Sequence, residues 1–243
     1  MNDQLDKLLV AGVSDAADEY YRKRIEVCHD ETCGTILTDF KIWATNVDAK
    51  DEHIFWLSGL AGTGKSTFSK TVAEWAIGEG ILGGKYFFSR DEGLMGKAAH
   101  FIPTIAYEVA KFDPLVKENV SRVLGEHDRF TFAGNYAKRF QKLVVEPLKK
   151  LRPNPSTTLE PSAPPSPPLP PRKLMLLVID SLDECDDQDA VKETIPLLME
   201  LVESNPHIRV LLTSRPEKDI EDIFSGKSKR LFYRRRMENC VFN

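Results

Sequence analysis

Ile54-Phe55-Trp56-Leu57-Ser58-Gly59-Leu60-Ala61-Gly62-Thr63-Gly64-Lys65-Ser66-Thr67 is an apolar run, then a glycine-rich loop, then the opening of a helical pattern. Ile54 to Leu57 is too short and too aromatic for a helix and fits a buried strand. Gly59 to Ser66 spells G-x-x-x-x-G-K-[ST], and Ser66 to Ile77 reads as the helix that follows. Glycines let the backbone curl so that successive N–H groups point inward at phosphate oxygens. The next helix presents its positive end to the same anion. The predicted cradle is therefore Gly59, Leu60, Ala61, Gly62, Thr63, Gly64, Lys65, Ser66 and Thr67. Lys65 would reach the β- and γ-phosphates, and the Ser66 hydroxyl would ligate Mg²⁺. The expected ligand is a purine nucleoside triphosphate with Mg²⁺; the loop does not distinguish ATP from GTP, because base contacts lie outside it.

Working outward, three more apolar runs read as strands: Lys85 to Phe88, Leu174 to Ile179 and Ile208 to Thr213. Helical patterns lie around Ile36 to Trp43, over Lys97 to Lys150 and over Ala190 to Val202. In the second of these, Phe101, Ile105, Val109 and Phe112 mark one face, and Tyr136, Phe140, Leu143 and Val144 another. Strands alternating with helices predict an α/β fold, a parallel sheet covered on both faces. Residues 1–29 read as an N-terminal amphipathic helix and residues 30–225 as the core, with a basic C-terminal tail at 226–243. In that tail only Leu231-Phe232-Tyr233 offers a possible fifth strand, and the run from Lys227 to Arg236 is expected to fray. Nine of the 15 prolines fall within residues 153–171, which predicts a solvated, polyproline-type loop.

The strand ending at Ile179 runs into Asp180, and carboxylates at the C-terminal ends of such strands sit where open α/β sheets bind ligands. Asp180 is thus the second candidate for Mg²⁺. Asp183 and Glu184 follow, either of which can orient or deprotonate an attacking water. Glu184 is the first choice, with Asp183 the alternative; the same acids also suit a plain solvated turn. Thr213-Ser214-Arg215-Pro216 ends the neighbouring strand, where Arg215 can sense a γ-phosphate.

The totals restrict the remaining classes. The chain has 243 residues, a formal charge of −4 and 42% hydrophobic residues, which suits a packed soluble core and not a basic nucleic-acid binder. No run reaches the roughly 18 apolar residues of a membrane span. The N-terminus has no secretory pattern, so a cytoplasmic location is expected. The four cysteines, Cys28, Cys33, Cys185 and Cys240, are too scattered for a disulfide framework and read as reduced structural thiols.

Cys33-Gly34-Thr35 followed by Trp43, then 54–67, YFFSRDEG at 86–93, HFIPTIAYEVA at 100–110, VIDSLDECD at 178–186 and RVLLTSRPE at 209–217 occur in that order. Together, over roughly residues 30–220, they resemble the NACHT-type NTPase domain of fungal signal-transduction STAND proteins, often described as nephrocystin-like N-terminal. The resemblance implies a three-layer αβα sandwich of the additional-strand P-loop NTPase class with strand order 5-1-4-3-2. It implies that Gly59 to Ser66 is Walker A, that Asp180, Asp183 and Glu184 form an extended Walker B, and that Arg215 is sensor 1. It further implies a slow nucleotide switch that self-associates or acts through a protein partner in non-self recognition or cell death. Nothing after sensor 1 resembles the family's helical and winged-helix subdomains, so the expectation is a truncated or stand-alone core. A truncated relic that only binds a partner and a P-loop phosphotransferase are the alternatives.

Overall fold

The computed structural model describes Leu5, Leu8 and residues 21–23, 25–28, 33–46, 52–91, 93, 95–126, 135–149, 173–225 and 229–237. Five strands form one sheet: β1 (Ile54–Ser58), β2 (Leu82–Phe87), β3 (Met175–Asp180), β4 (Ile208–Ser214) and β5 (Phe232–Arg236). Their spatial order is β2-β3-β4-β1-β5 and every pairing is parallel. Read from the other edge, this is the order 5-1-4-3-2 implied by the resemblance.

The apolar runs are continuous because both faces of the sheet are covered. Ile54 and Trp56 of β1, Leu177 and Ile179 of β3, and Val210 and Leu212 of β4 enter one buried cluster. Their neighbours Phe55, Leu57, Leu176, Val178 and Leu211 enter the other. This is the period-two alternation of a strand with core on both sides. The second cluster is closed by α1 (Gly34–Thr45) and α2 (Lys65–Gly78). The first is closed by α3 (Ala98–Phe112), α4 (Pro114–Glu126) and α5, a helix in three consecutive pieces (Tyr136–Phe140, a π-turn Gln141–Val145, Glu146–Lys149). Beside them lie α6 (Gln188–Ser204) and α7 (Lys218–Ser225). The result is three layers.

Three expectations change. Cys28 and Cys33 are joined in a disulfide, their Cα atoms 6.2 Å apart, while Cys185 is free and buried. The reading of all the thiols as reduced fails because Cys28 and Cys33, just ahead of α1, lie within bonding reach of each other. The basic run does not fray over its second half. Arg234 and Arg236 both reach Glu221 of α7, Arg235 pairs with Asp39 of α1, and the Arg234 guanidinium lies 4.4 Å above the Trp56 ring. Finally, β2 begins three residues earlier than expected, through Gly83 and Gly84. A Cβ on Gly83 would lie 2.2 Å from Met175 Cγ, so the close approach to β3 requires glycine there.

The Pro-rich stretch 153–171 and most of the helix expected at 1–29 lie outside the described residues. From the latter, Leu5, Leu8, Tyr21 and Ile25 are buried in the core. Among the described residues no helix is long and apolar enough to cross a membrane.

Candidate functional site

The C-terminal ends of β1, β4 and β3 lie side by side, and the candidate residues sit on the turns that leave them. After Ser58 the chain enters the glycine loop. Gly59 donates its N–H to Ser214 O at 3.2 Å, tying the loop to the end of β4. A Cβ on Gly59 would come within 2.7 Å of Thr63 Oγ1 and 3.0 Å of Met237 O, so no other residue fits. Gly62 and Gly64 take φ of 75° and 90°, left-handed values that L side chains avoid. Leu60 and Ala61 are exposed at the tip, and Thr63 is buried beneath it. Helix α2 then starts at Lys65 with no side chain capping its first turn. The opening N–H groups and the helix dipole are directed at the loop, a ready anion site.

Lys65 is buried, and its ammonium donates to Gly59 O and Leu60 O, each at 2.8 Å. Burial holds its pKa below the ordinary lysine value; Asp183 and Asp180 push back upward, Arg215 acts with burial, and Glu184 opposes it. The cation is thus bent over the loop by two carbonyls that an anion with more charge can outbid.

Asp180, 1% exposed, is the hub of the site. Its Oδ2 accepts from Ser66 Oγ at 2.6 Å and from Ser181 Oγ at 3.0 Å; its Oδ1 accepts from Ser69 Oγ and Thr213 Oγ1, both at 2.7 Å. Four hydroxyls stand in for water around a buried carboxylate, which offsets its desolvation without a salt bridge. Ser66 and Ser69 are three residues apart and so share one face of α2. Ser181 adopts a left-handed φ of 54°, held by its N–H on Thr213 Oγ1 at 2.9 Å. That turn swings the chain into the short 3₁₀ segment Leu182–Glu184.

Asp183 and Glu184 therefore face different partners. The Asp183 side chain is 2% exposed and, among the described residues, is bound by Arg215: the backbone N–H reaches Oδ1 at 2.9 Å and Nε reaches Oδ2 at 3.1 Å. Glu184 is half-buried and accepts the Arg90 N–H at 3.3 Å, while the Arg90 side chain donates to Asp183 O. Burial raises the Glu184 pKa above the ordinary carboxyl value; the Arg90 N–H works against this, Asp183 and Asp180 raise it further, and Arg215 lowers it.

The fold thus gathers Gly59 to Ser66, Asp180, Asp183, Glu184 and Arg215 into one region; Thr67 lies on the first turn of α2. Sequence reasoning missed Ser69, Ser181 and Arg90. Ser69 is detectable as the i+3 partner of Ser66, and Ser181 as the hydroxyl next to Asp180. Arg90 carries no signal until β2 and β3 are known to be neighbours. Adjoining the loop is a cavity of about 500 Å³ lined by Gly59, Leu60, Thr63, Pro216, Glu221 and Met237 among others.

Among the described residues no group of three or more His, Cys, Asp and Glu side chains forms a metal cluster. The Ser66 hydroxyl and Asp180 carboxylate, oxygen beside oxygen, instead match the sparse protein ligation of Mg²⁺, which takes one or two protein oxygens and completes its shell with phosphate and water. The donor set fits that ion.

None of the curated proteins matches the chain. The family model described as "Nephrocystin 3, N-terminal" matches residues 31–159 and 167–215, well over half of the chain and including Gly59 to Ser66, Asp180, Asp183, Glu184 and Arg215. The protein belongs to the nephrocystin 3 N-terminal domain family.

Proposed function

We propose that the chain binds a purine nucleoside triphosphate, ATP or GTP, with Mg²⁺, as the nucleotide-binding core of a NACHT/STAND-type switch that hydrolyses slowly. The observation that carries this reading is the 2.6 Å contact between Ser66, on the first turn after the glycine loop, and the buried Asp180. It couples a loop shaped for phosphate to a carboxylate at the end of β3, one strand removed from β1 in the sheet, the arrangement a metal–phosphate pair requires. In this reading Ser66 and Asp180 hold Mg²⁺, which when bound neutralises phosphate charge. Lys65 exchanges the Gly59 and Leu60 carbonyls for phosphate oxygens. The cavity beside the loop takes the base, with Leu60, Pro216 and Met237 as its apolar lining. Glu184, free of the Arg215 clamp and more basic than an ordinary carboxylate, orients the attacking water. Signalling through a protein partner or self-association follows from the family resemblance, and the cytoplasm is the location expected from the sequence.

The test is thermal unfolding with Mg-ATP, Mg-GTP and Mg-ADP for wild type and Lys65→Ala. Nucleotide at about 100 times Kd stabilises by about 2.7 kcal/mol, a rise of roughly 5–11 °C for a domain of this size. Lys65→Ala is expected to lose most of that rise while melting close to wild type without ligand. A folded wild type that shifts with none of the three nucleotides overturns the reading.

A further inference from the structure

We infer that the Cys28–Cys33 disulfide is a thiol–disulfide exchange site, and that its reduction by a dithiol weakens the grip of the phosphate loop and α2 on a bound nucleotide. The coupling to nucleotide rests on the nucleotide-binding reading above. The disulfide stands at the end of a strap, residues 21–23 and 25–28, laid along α2. The Tyr21 hydroxyl donates to Glu74 Oε1 at 2.8 Å, and the Cys28 N–H donates to Thr71 Oγ1 at 2.7 Å. Between them the Lys70 ammonium donates to Ile25 O and lies 5.2 Å from the centre of the Tyr21 ring. The Thr71 hydroxyl in turn donates to Thr67 O at 2.8 Å, which carries the strap's hold to the residue beside Ser66. Tyr21 also closes on the sheet. Its ring centroid lies 5.2 Å from that of Phe87, the residue of β2 paired with Asp180. The strap therefore bears on both sides of the Ser66–Asp180 contact.

The disulfide fastens this strap to Cys33, the residue that opens α1. Cys33 is 3% exposed whereas Cys28 is half-buried, so an incoming thiolate meets the Cys28 sulfur. The S–S bond breaks and Cys33 leaves with the electron pair, as a thiolate at the N-terminus of a 12-residue helix with no acidic side chain in its first turn. That position favours a thiolate, and a stabilised leaving group speeds exchange. The second thiol of the reductant then displaces the Cys28 sulfur from the mixed disulfide. The dithiol becomes a disulfide, two electrons pass to the protein, and Cys28 and Cys33 take up its two protons. Cys185 stays outside this exchange, because it is 2% exposed and burial pushes its thiol up to about 11. In a reducing compartment, such as the cytoplasm expected from the sequence, such a disulfide turns over and is no permanent staple. Once it opens, the strap is held by part-buried hydrogen bonds to α2 that are individually weak, so it detaches for part of the time. A site competent for only a fraction of the time binds with an affinity reduced by that fraction.

The test compares the oxidised protein with protein equilibrated in dithiothreitol, by thiol alkylation with peptide mass mapping, hydrogen exchange, and titration calorimetry with a slowly hydrolysed Mg-triphosphate analogue. Dithiothreitol is expected to release Cys28 and Cys33 together in the folded protein while Cys185 stays unlabelled. Reduction is expected to speed amide exchange over the first turns of α2. It is expected to weaken analogue binding about three- to tenfold, the effect of a strap detached roughly two-thirds to nine-tenths of the time. The Cys28→Ser/Cys33→Ser double variant should bind like the reduced protein and ignore the reductant. Thr71→Val keeps the disulfide but cuts its link to Thr67, and should shrink the difference between the redox forms. A disulfide that yields to dithiothreitol only on unfolding overturns the inference, as does a double variant that binds like the oxidised protein or an undiminished redox difference in Thr71→Val. Wild type that binds the analogue in neither form overturns the underlying reading, and the coupling with it. Binding of equal strength in both redox forms sinks the inference alone.

Discussion

Replacing Glu184 by Gln is expected to slow phosphate release by about 10²–10⁴-fold while nucleotide affinity stays close to wild type, since the group acts on water and not on the bound nucleotide. The geometry singles out Glu184 because its neighbour is committed: Asp183 is clamped by Arg215, whereas Glu184, among the described residues, accepts one backbone N–H, from Arg90. Burial first, and then the negative charges of Asp183 and Asp180, raise its pKa above 4.5 and toward the working pH, which strengthens it as a base. Turnover in wild type should therefore fall on the acid side at a pH above the ordinary carboxyl value, and Glu184→Gln should lack that limb. Stability carries a matching sign. A carboxyl with a raised folded-state pKa binds its proton more tightly folded than unfolded. The stability it contributes is present below the unfolded value and is lost as pH rises through the folded one. Gln does not ionise, so the variant should melt slightly above wild type at neutral pH. Single-turnover phosphate release and melting curves across pH measure both effects. Equal release from the two proteins removes Glu184 from the chemistry.

The elements that were legible in the sequence are those whose environment is uniform. β1, β3 and β4 are central strands with core on both faces, so their apolar runs have no competing explanation. β5 is an edge strand, paired only with β1, and an edge tolerates or even favours charge. Its arginines read as a tail because what fixes them, Glu221, Asp39 and the face of Trp56, comes from elsewhere in the chain. The glycine loop was readable because its conformation is set by its own glycines, Gly59, Gly62 and Gly64. The Asp180 site was only half readable, for the opposite reason. Its four hydroxyls come from α2, from the turn after β3 and from β4, residues up to 114 positions away in sequence. Hydroxyls are common, and only the fold brings these four to one carboxylate. The division of labour between Asp183 and Glu184 depends likewise on Arg215 and Arg90, which reach the same turn from two different strand ends.

Phe40→Ala is expected to cost about 3–5 kcal/mol, the range for truncating a fully buried Phe, and to lower the melting temperature by roughly 6–20 °C. Phe40 is 0% exposed on α1, and its ring centroid lies 5.3 Å from that of Trp43, 5.1 Å from Phe55, 5.8 Å from Phe68 and 6.2 Å from Trp75. Three of these contacts are edge-on, the arrangement in which aromatic pairs gain beyond their buried area. The position bears on function because Phe55 belongs to β1 and Phe68 to α2, the two elements that flank the glycine loop. Removing the ring empties the space that sets how far α2 stands from the sheet. The loop has independent anchors on its other side, in Gly59 N on Ser214 O and in the Lys65 contacts. The thermal rise produced by Mg-ATP should therefore persist in Phe40→Ala, added to a lower baseline, whereas in Lys65→Ala the baseline persists and the rise is lost. Phe40→Leu, which keeps more of the volume, should fall between wild type and Phe40→Ala. Calorimetric unfolding of the three proteins with and without nucleotide separates the two contributions. A Phe40→Ala variant melting within a degree or so of wild type would mean that the core relaxes to fill the space, and that α1 does not govern the spacing of α2 from the sheet.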